Sequence, residues 1–140
     1  MILLDTNVIS ELMRSAPDPA LIAWHDRQPS GTIWTTAISI FEVRFGLETM
    51  PEGQRKTILT TVFECWLNEL VQGRIAVFDE AAARKAAELD AMRRKMGRPG
   101  ELRDTMIAGI VLANHATLAT RNAKHFEDIA GSVVNPWEKS

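Results

Sequence analysis

The sequence predicts an α/β fold: a single three-layer domain over residues 1–140, with a central, mostly parallel sheet of four to five strands flanked by helices. Short apolar runs alternate with longer segments of helical period, which is the pattern of βα units built on a parallel sheet. The 140 residues are 46% hydrophobic and 24% charged, the length and mix of one globular domain. No composition shift, low-complexity stretch or repeat divides them, and the loops 15–19 and 97–100 are too short to be domain linkers.

In order, strands are expected at Ile2–Leu4, Thr32–Thr36, Ile75–Phe78 and Thr117–Thr120, with Ser132–Val134 as the fifth. After the first strand, Val8, Ile9, Leu12 and Met13 form an apolar helical stripe. A broader stripe, Ile58, Leu59, Val62, Phe63, Trp66, Leu67 and Leu70, predicts a helix over about 52–72. Asp79 is the expected N-cap of the next helix, which carries Ala82, Ala86, Leu89, Met92 and Met96 on one side and stops at Gly97. A buried helix then spans about Leu102 to Asn114. Trp66 and Cys65 read as core residues of their helix, Trp34 can face either side of its strand, and Trp24 and Trp137 read as packing anchors or oligomer contacts rather than base platforms.

Several function classes fall away. There is no GxGxxG, GxxxxGK[ST] or GxSxG motif, so dinucleotide, P-loop and serine-hydrolase chemistry of those kinds is not expected. His25, His115 and His125 stand far apart without HxxxH or CxxC partners, so a zinc site built on sequence-local pairs is not expected. The longest apolar run, Met106 to Ala113, has eight residues against roughly 20 for a bilayer span. The start Met1-Ile2-Leu3-Leu4 is cut short by Asp5 and has no basic lead-in, and the lone Cys65 cannot form an internal bridge. The expectation is a cytoplasmic, reducing setting. A net charge of −2, from 16 basic and 18 acidic residues, means that any nucleic-acid contact is local rather than a general polycation effect.

Three acids stand where core or strand-end residues belong. Asp5 follows the first strand, at the carboxyl edge where ligands bind in open α/β sheets. Glu42 shares a helical face with Ile38 and Phe45, and Asp104 shares one with Ile107 and Val111. Each has a structural alternative: Asp5 as a helix cap, Glu42 as the far end of a Ser39-Ile40-Phe41-Glu42 capping box, Asp104 as a first-turn acid facing the helix dipole. If they converge, two unit charges about 4 Å apart repel by roughly 4 kcal/mol at an effective dielectric near 20, so the cluster calls for a cation. Oxygen-only donors suit Mg²⁺ or Mn²⁺, completed by water and substrate phosphate, and such a site hydrolyses phosphodiesters. Thr6, Thr120 and Asn122 lie near the same edge as a supporting shell or as turn residues. The cluster Arg93, Arg94, Lys95, Arg98 and Arg103 reads either as a grip on a polyanion, with Arg94, Arg98 and Arg103 the candidate phosphate contacts, or as a solvated helix end.

Four segments in order, Leu4-Asp5-Thr6-Asn7-Val8, Ser39-Ile40-Phe41-Glu42-Val43 with Gly46, Asp104 followed by Met106-Ile107-Ala108, and Ala119-Thr120-Arg121-Asn122, resemble the motifs of PIN-domain ribonucleases over essentially the whole chain. His125-Phe126-Glu127 and Val134-Asn135-Pro136-Trp137 resemble the VapC/FitB branch, the toxin halves of bacterial type II toxin–antitoxin pairs. The resemblance implies a Mg²⁺- or Mn²⁺-dependent endoribonuclease with Asp5, Glu42 and Asp104 as catalytic and metal-binding acids. It also implies a homodimer, inhibited by a cognate antitoxin that binds operator DNA. One departure stands out: many members carry a further acid where this chain has Asn122 or His125, which bears on a second metal position. Two alternatives follow: a catalytically weak PIN scaffold that acts through antitoxin and operator binding, and a receiver-type signalling domain. The latter would use Asp79 after the third strand as phosphoacceptor, but no Lys directly follows the fourth strand.

Overall fold

The computed structural model describes residues 1–138. Its elements, in chain order, are β1 (Ile2–Leu4), α1 (Thr6–Leu12), α2 (Pro19–Asp26), β2 (Ile33–Thr36), α3 (Ala37–Thr49), α4 (Gln54–Cys65) running into a π-helical turn (Trp66–Val71), β3 (Ile75–Ala76), α5 (Glu80–Lys95), α6 (Leu102–Asn114), β4 (Thr117–Ala119), a kinked 3-10 run (Ala123–Ser132) and β5 (Val133–Val134). The five strands form one sheet in the order β3-β2-β1-β4-β5, and every pairing is parallel. The expected α/β architecture is present, with its fifth strand.

Alternation along β1 makes the three layers. Successive strand residues point to opposite faces, so Leu3 packs in a core with Leu89, Ile107, Ile110, Val111, Leu118 and Phe126, while Leu4 packs in a second core with Val8, Ile9, Leu21, Val43, Leu47 and Phe63. One layer is thus α5, α6 and the 3-10 run, and the other is α1 to α4. Helices α5 and α6 lie unusually close because the facing residues are small: a Cβ on Gly109 would stand 2.4 Å from the Ala82 carbonyl oxygen and 2.7 Å from the Ala86 Cβ. Asp79 caps α5 by accepting from the Ala82 amide at 3.0 Å, and the helix gives way to Gly97 at φ 69°, as the sequence predicts.

Several boundaries differ for identifiable reasons. Strand β3 stops at Ala76 rather than Phe78, because Ala76 pairs with Thr36, the last residue of β2, and Val77 has no strand beside it. Thr120 likewise lies one step beyond β4, although its amide still reaches the Val134 carbonyl at 3.0 Å. Helix α2 was not among the expected elements; Asp18 caps it, accepting from the Ala20 amide at 2.8 Å, and Pro19 takes the first helical position. The single expected helix over 52–72 is α4 plus the π turn, which closes with the Gln72 amide on the Leu67 carbonyl at 2.9 Å. Cys65, expected inside, is exposed. Trp66, Trp24 and Trp137 pack against the second core and Trp34 against the first.

Candidate active site

Parallel strands point their carboxyl ends the same way, and at that end β1, β2 and β4 hand over to Asp5, Thr36 and Thr120. Asp5 is 5% exposed. Its Oδ1 accepts from the Thr6 amide at 2.8 Å, capping α1, while Oδ2 accepts from the Thr120 hydroxyl at 2.7 Å and the Asn7 side-chain amide at 3.3 Å. Capping and site placement are therefore both true of Asp5. Thr120 Oγ1 in turn accepts from Asn7 Nδ2 at 3.2 Å and the Asn122 amide at 3.1 Å, so one hydroxyl joins β4, α1 and the turn after β4.

Helix α3 brings Glu42 to the same place. The N-cap is Thr36, which accepts from the Ser39 amide at 3.0 Å, so the capping box proposed for Ser39 and Glu42 does not form and Glu42 is released for the cleft. Its Oε1 accepts from the Thr6 hydroxyl at 2.9 Å, and Oε2 lies 3.7 Å from Arg103. The α3 face that enters the core is Ser39, Val43 and Leu47. Phe45, expected on the inner face with Glu42, is 54% exposed and stacks on Phe41 with centroids 6.2 Å apart.

Asp104 stands in the first turn of α6, on the face of the buried Ile107 and Val111, as expected. Glu101 caps the helix by accepting from the Asp104 amide at 3.2 Å, and the Asp104 carboxylate pairs with His125 Nδ1 at 3.0 Å. Electrostatics ties the three acids together. Burial pushes the Asp5 carboxyl above the usual range, with the Asp104 charge adding to it. Burial also raises Asp104, helped by Glu101 and Glu42 and opposed by His125.

The remaining expected residues divide. Thr6, Thr120 and Arg103 contact the acids directly. Asn122 meets the shell only through its amide. Arg98 lines a groove of about 460 Å³ that also contains Asp104 and His125, whereas Arg94 is exposed and turned to Asp90 at 3.3 Å. Arg93 is part of the fold: 6% exposed, it makes a two-pronged pair with Asp128 and donates to the Thr105 hydroxyl at 2.9 Å. Asn7 and His125 are the two contacts that the sequence reading did not place in the site. Asn7 belongs to the quoted Leu4–Val8 segment, and His125 to the quoted His125-Phe126-Glu127 segment, where it stands in place of an acid.

Among the described residues, no three His, Cys, Asp or Glu form a ready-made metal cage; Glu42 is turned to Thr6 and Arg103, and Asp104 to His125. The donor set nevertheless fits Mg²⁺ or Mn²⁺, since these ions use one or two carboxylates and keep several waters, and the mutual charge of the acids is what a cation relieves.

The family model described as PIN domain matches residues 2–132. The chain is 41% identical over 138 residues to the VapC ribonuclease Y4jK of Sinorhizobium fredii, covering 99% of each, and 34% identical over 137 residues to Toxin FitB of Neisseria gonorrhoeae, covering 98% of this chain and 99% of the other. Its structure superposes on a chain of the FitAB complex bound to an IR36 DNA fragment with a TM-score of 0.90 at 34% identity, over 100% of this chain and 98% of that one. With sequence and fold in agreement, the chain belongs to the PIN-domain family and, within it, to the VapC/FitB-type toxins of toxin–antitoxin systems.

Proposed function

We propose that this protein is a metal-dependent endoribonuclease toxin that hydrolyses RNA phosphodiester bonds in the cytoplasm. The observation that carries the reading is that Glu42 and Asp104, from distant segments, come to the carboxyl edge where Asp5 follows β1: Thr6 beside Asp5 donates to Glu42, the Glu42 charge acts on Asp104, and the Asp104 charge acts on Asp5. Asp5, Glu42 and Asp104 would hold Mg²⁺ or Mn²⁺. When bound, the ion supplies positive charge that draws in a phosphodiester and acidifies water.

The chain's own residues prepare that site. Thr120 and Asn7 fix the Asp5 carboxylate, and Thr6 links Glu42 to the start of α1. Asn122, whose backbone amide donates to Thr120, would help order water in the outer shell. Arg103 sits over the Phe41 ring at 5.1 Å while its Nη1 faces Glu42; an incoming phosphate competes for the same guanidinium. Arg98 and Arg94 are the outer candidates for phosphate contact.

As a toxin, the protein would be held by a cognate antitoxin, and the pair would assemble on operator DNA. The relative FitAB is seen bound to DNA, which supports that reading. A homodimer fits the exposed, stacked Phe41 and Phe45 on α3 and the exposed Leu102 on α6. A scaffold without catalysis remains the second reading, favoured by Asn122 and His125 in place of an acid.

The test is cleavage of a mixed pool of tRNA, rRNA fragments and mRNA by antitoxin-free protein in Mn²⁺ or Mg²⁺ against EDTA. Metal-dependent cutting that disappears in Asp104→Asn is the expected result. A folded, metal-supplied protein that cuts none of them overturns the nuclease reading in favour of the scaffold.

A further inference from the structure

Two grooves reach the carboxylates from different layers of the molecule. The first, on the α5–α6 side, places Arg98 and Lys124 beside Asp104 and His125. The second, of about 270 Å³ on the α1–α3–α4 side, runs from Thr6 and Glu42 past Gly46 to Arg14 and Arg55. Arg14 is engaged by Glu11 at 3.1 Å. Arg55, Arg98 and Lys124 make no ion pair among the described residues, so each groove carries at least one cation available to an anion.

Gly46 leaves the wall of the second groove open. It sits inside α3, where glycine is the poorest helix former after proline, and a Cβ there would meet nothing within 4 Å. Gly109 differs, since the chain's own packing leaves no room for its Cβ. The Gly46 backbone forms the groove wall beside Glu42, with open space beyond it.

We propose that the Gly46–Arg55 groove is a second RNA-binding arm, which takes the phosphates of a single strand on the other side of the cleaved bond from Arg98 and Lys124. The inference rests on the nuclease reading above. A polyanion approaching three carboxylates is repelled where it must react, so attraction has to come from the flanks. Cations in two grooves that meet at the acids hold the strand on both sides and leave the bond between them over the cluster. The open groove past Gly46 gives the sugar–phosphate chain room to approach Arg55. A peptide segment of a protein partner is the competing occupant, because the neighbouring surface around Ile58 and Val62 is apolar.

The test is binding of a labelled single-stranded oligoribonucleotide in EDTA, followed by anisotropy across a salt series, with cleavage kinetics in Mn²⁺ measured in parallel. Arg55→Gln is expected to bind several-fold more weakly, with a salt slope shallower by about 0.7, the value for one lost single-strand phosphate contact. It should raise KM while kcat stays near wild type, and Arg55→Lys should recover most of the affinity. Gly46→Leu should also weaken RNA binding while melting no lower than wild type, which separates a blocked groove from a damaged fold. Wild-type affinity and slope in both Arg55→Gln and Gly46→Leu overturn the arm and leave the groove to a peptide. A wild-type protein that binds RNA through Arg55 but cleaves none in Mn²⁺ keeps the arm and removes the nuclease reading.

Discussion

Asp5 closes the first turn of α1 with one carboxylate oxygen and faces Thr120 and Asn7 with the other. Because burial raises Asp5 and Asp104, the folded protein binds protons at these groups more readily than the unfolded chain. Their contribution to stability is therefore present below the ordinary aspartate value of 3.8 and lost as pH rises through the raised folded values. At neutral pH without metal the cluster works against folding. Thr120 offsets part of this by donating to Asp5, and Thr120→Val removes the donor while preserving shape. Metal-dependent cleavage by Thr120→Val is expected to fall about 10- to 100-fold, its acid limb moving to higher pH, with Thr120→Ser close to wild type; unchanged rate and pH profile would remove Thr120 from the site. Strand position and helical phase made Asp5 and Asp104 legible in the sequence. Asn7 and His125 were not, since an amide two residues from Asp5 and an imidazole 21 residues from Asp104 join the cluster only through tertiary packing.

At the level of elements, α3 shows where periodicity runs out. Ile38, Ile40, Phe41, Val43, Phe45 and Leu47 surround most of the helix, so the apolar pattern does not select one inner face. The Thr36 cap and the handover from β2 set the phase, burying Ser39, Val43 and Leu47 and leaving Phe41 and Phe45 outside. The basic cluster was misread in part for a related reason: a run of cations at the end of α5 does not reveal that Arg93 alone turns inward to meet Asp128 from the 3-10 run. That pair joins the two elements flanking the first groove. The Arg93 guanidinium holds the Asp128 carboxyl below the usual range, so its stabilisation is present above pH 3.8 and lost as pH falls through the lowered folded value. Asp128→Asn is expected to lower unfolding free energy by about 2 kcal/mol at pH 7, with the difference from wild type narrowing in strong acid. Urea unfolding at the two pH values checks this; a deficit that stays constant with pH would rule out the charge pair as its source.

For the whole molecule, the alternation of short apolar runs with helical segments was enough to expect a three-layer α/β domain with a parallel sheet. The strand order was not legible, because β2, β3, β4 and β5 are all short apolar runs and nothing local states which of them flanks β1. The order β3-β2-β1-β4-β5 puts β1 in the middle, so that Asp5 lies between the ends of β2 and β4 and within reach of helices from both layers. That placement sets Asp104 where its charge acts on Asp5, and Glu42 where its charge acts on Asp104, and the central claim is that the three acids act together on one cation. Calorimetric titration of Mn²⁺ into the antitoxin-free protein at neutral pH tests it most directly, beside Asp5→Asn, Glu42→Gln and Asp104→Asn. The account predicts binding to the wild type that each of the three substitutions weakens by at least about tenfold; Mn²⁺ binding undiminished in all three would contradict it.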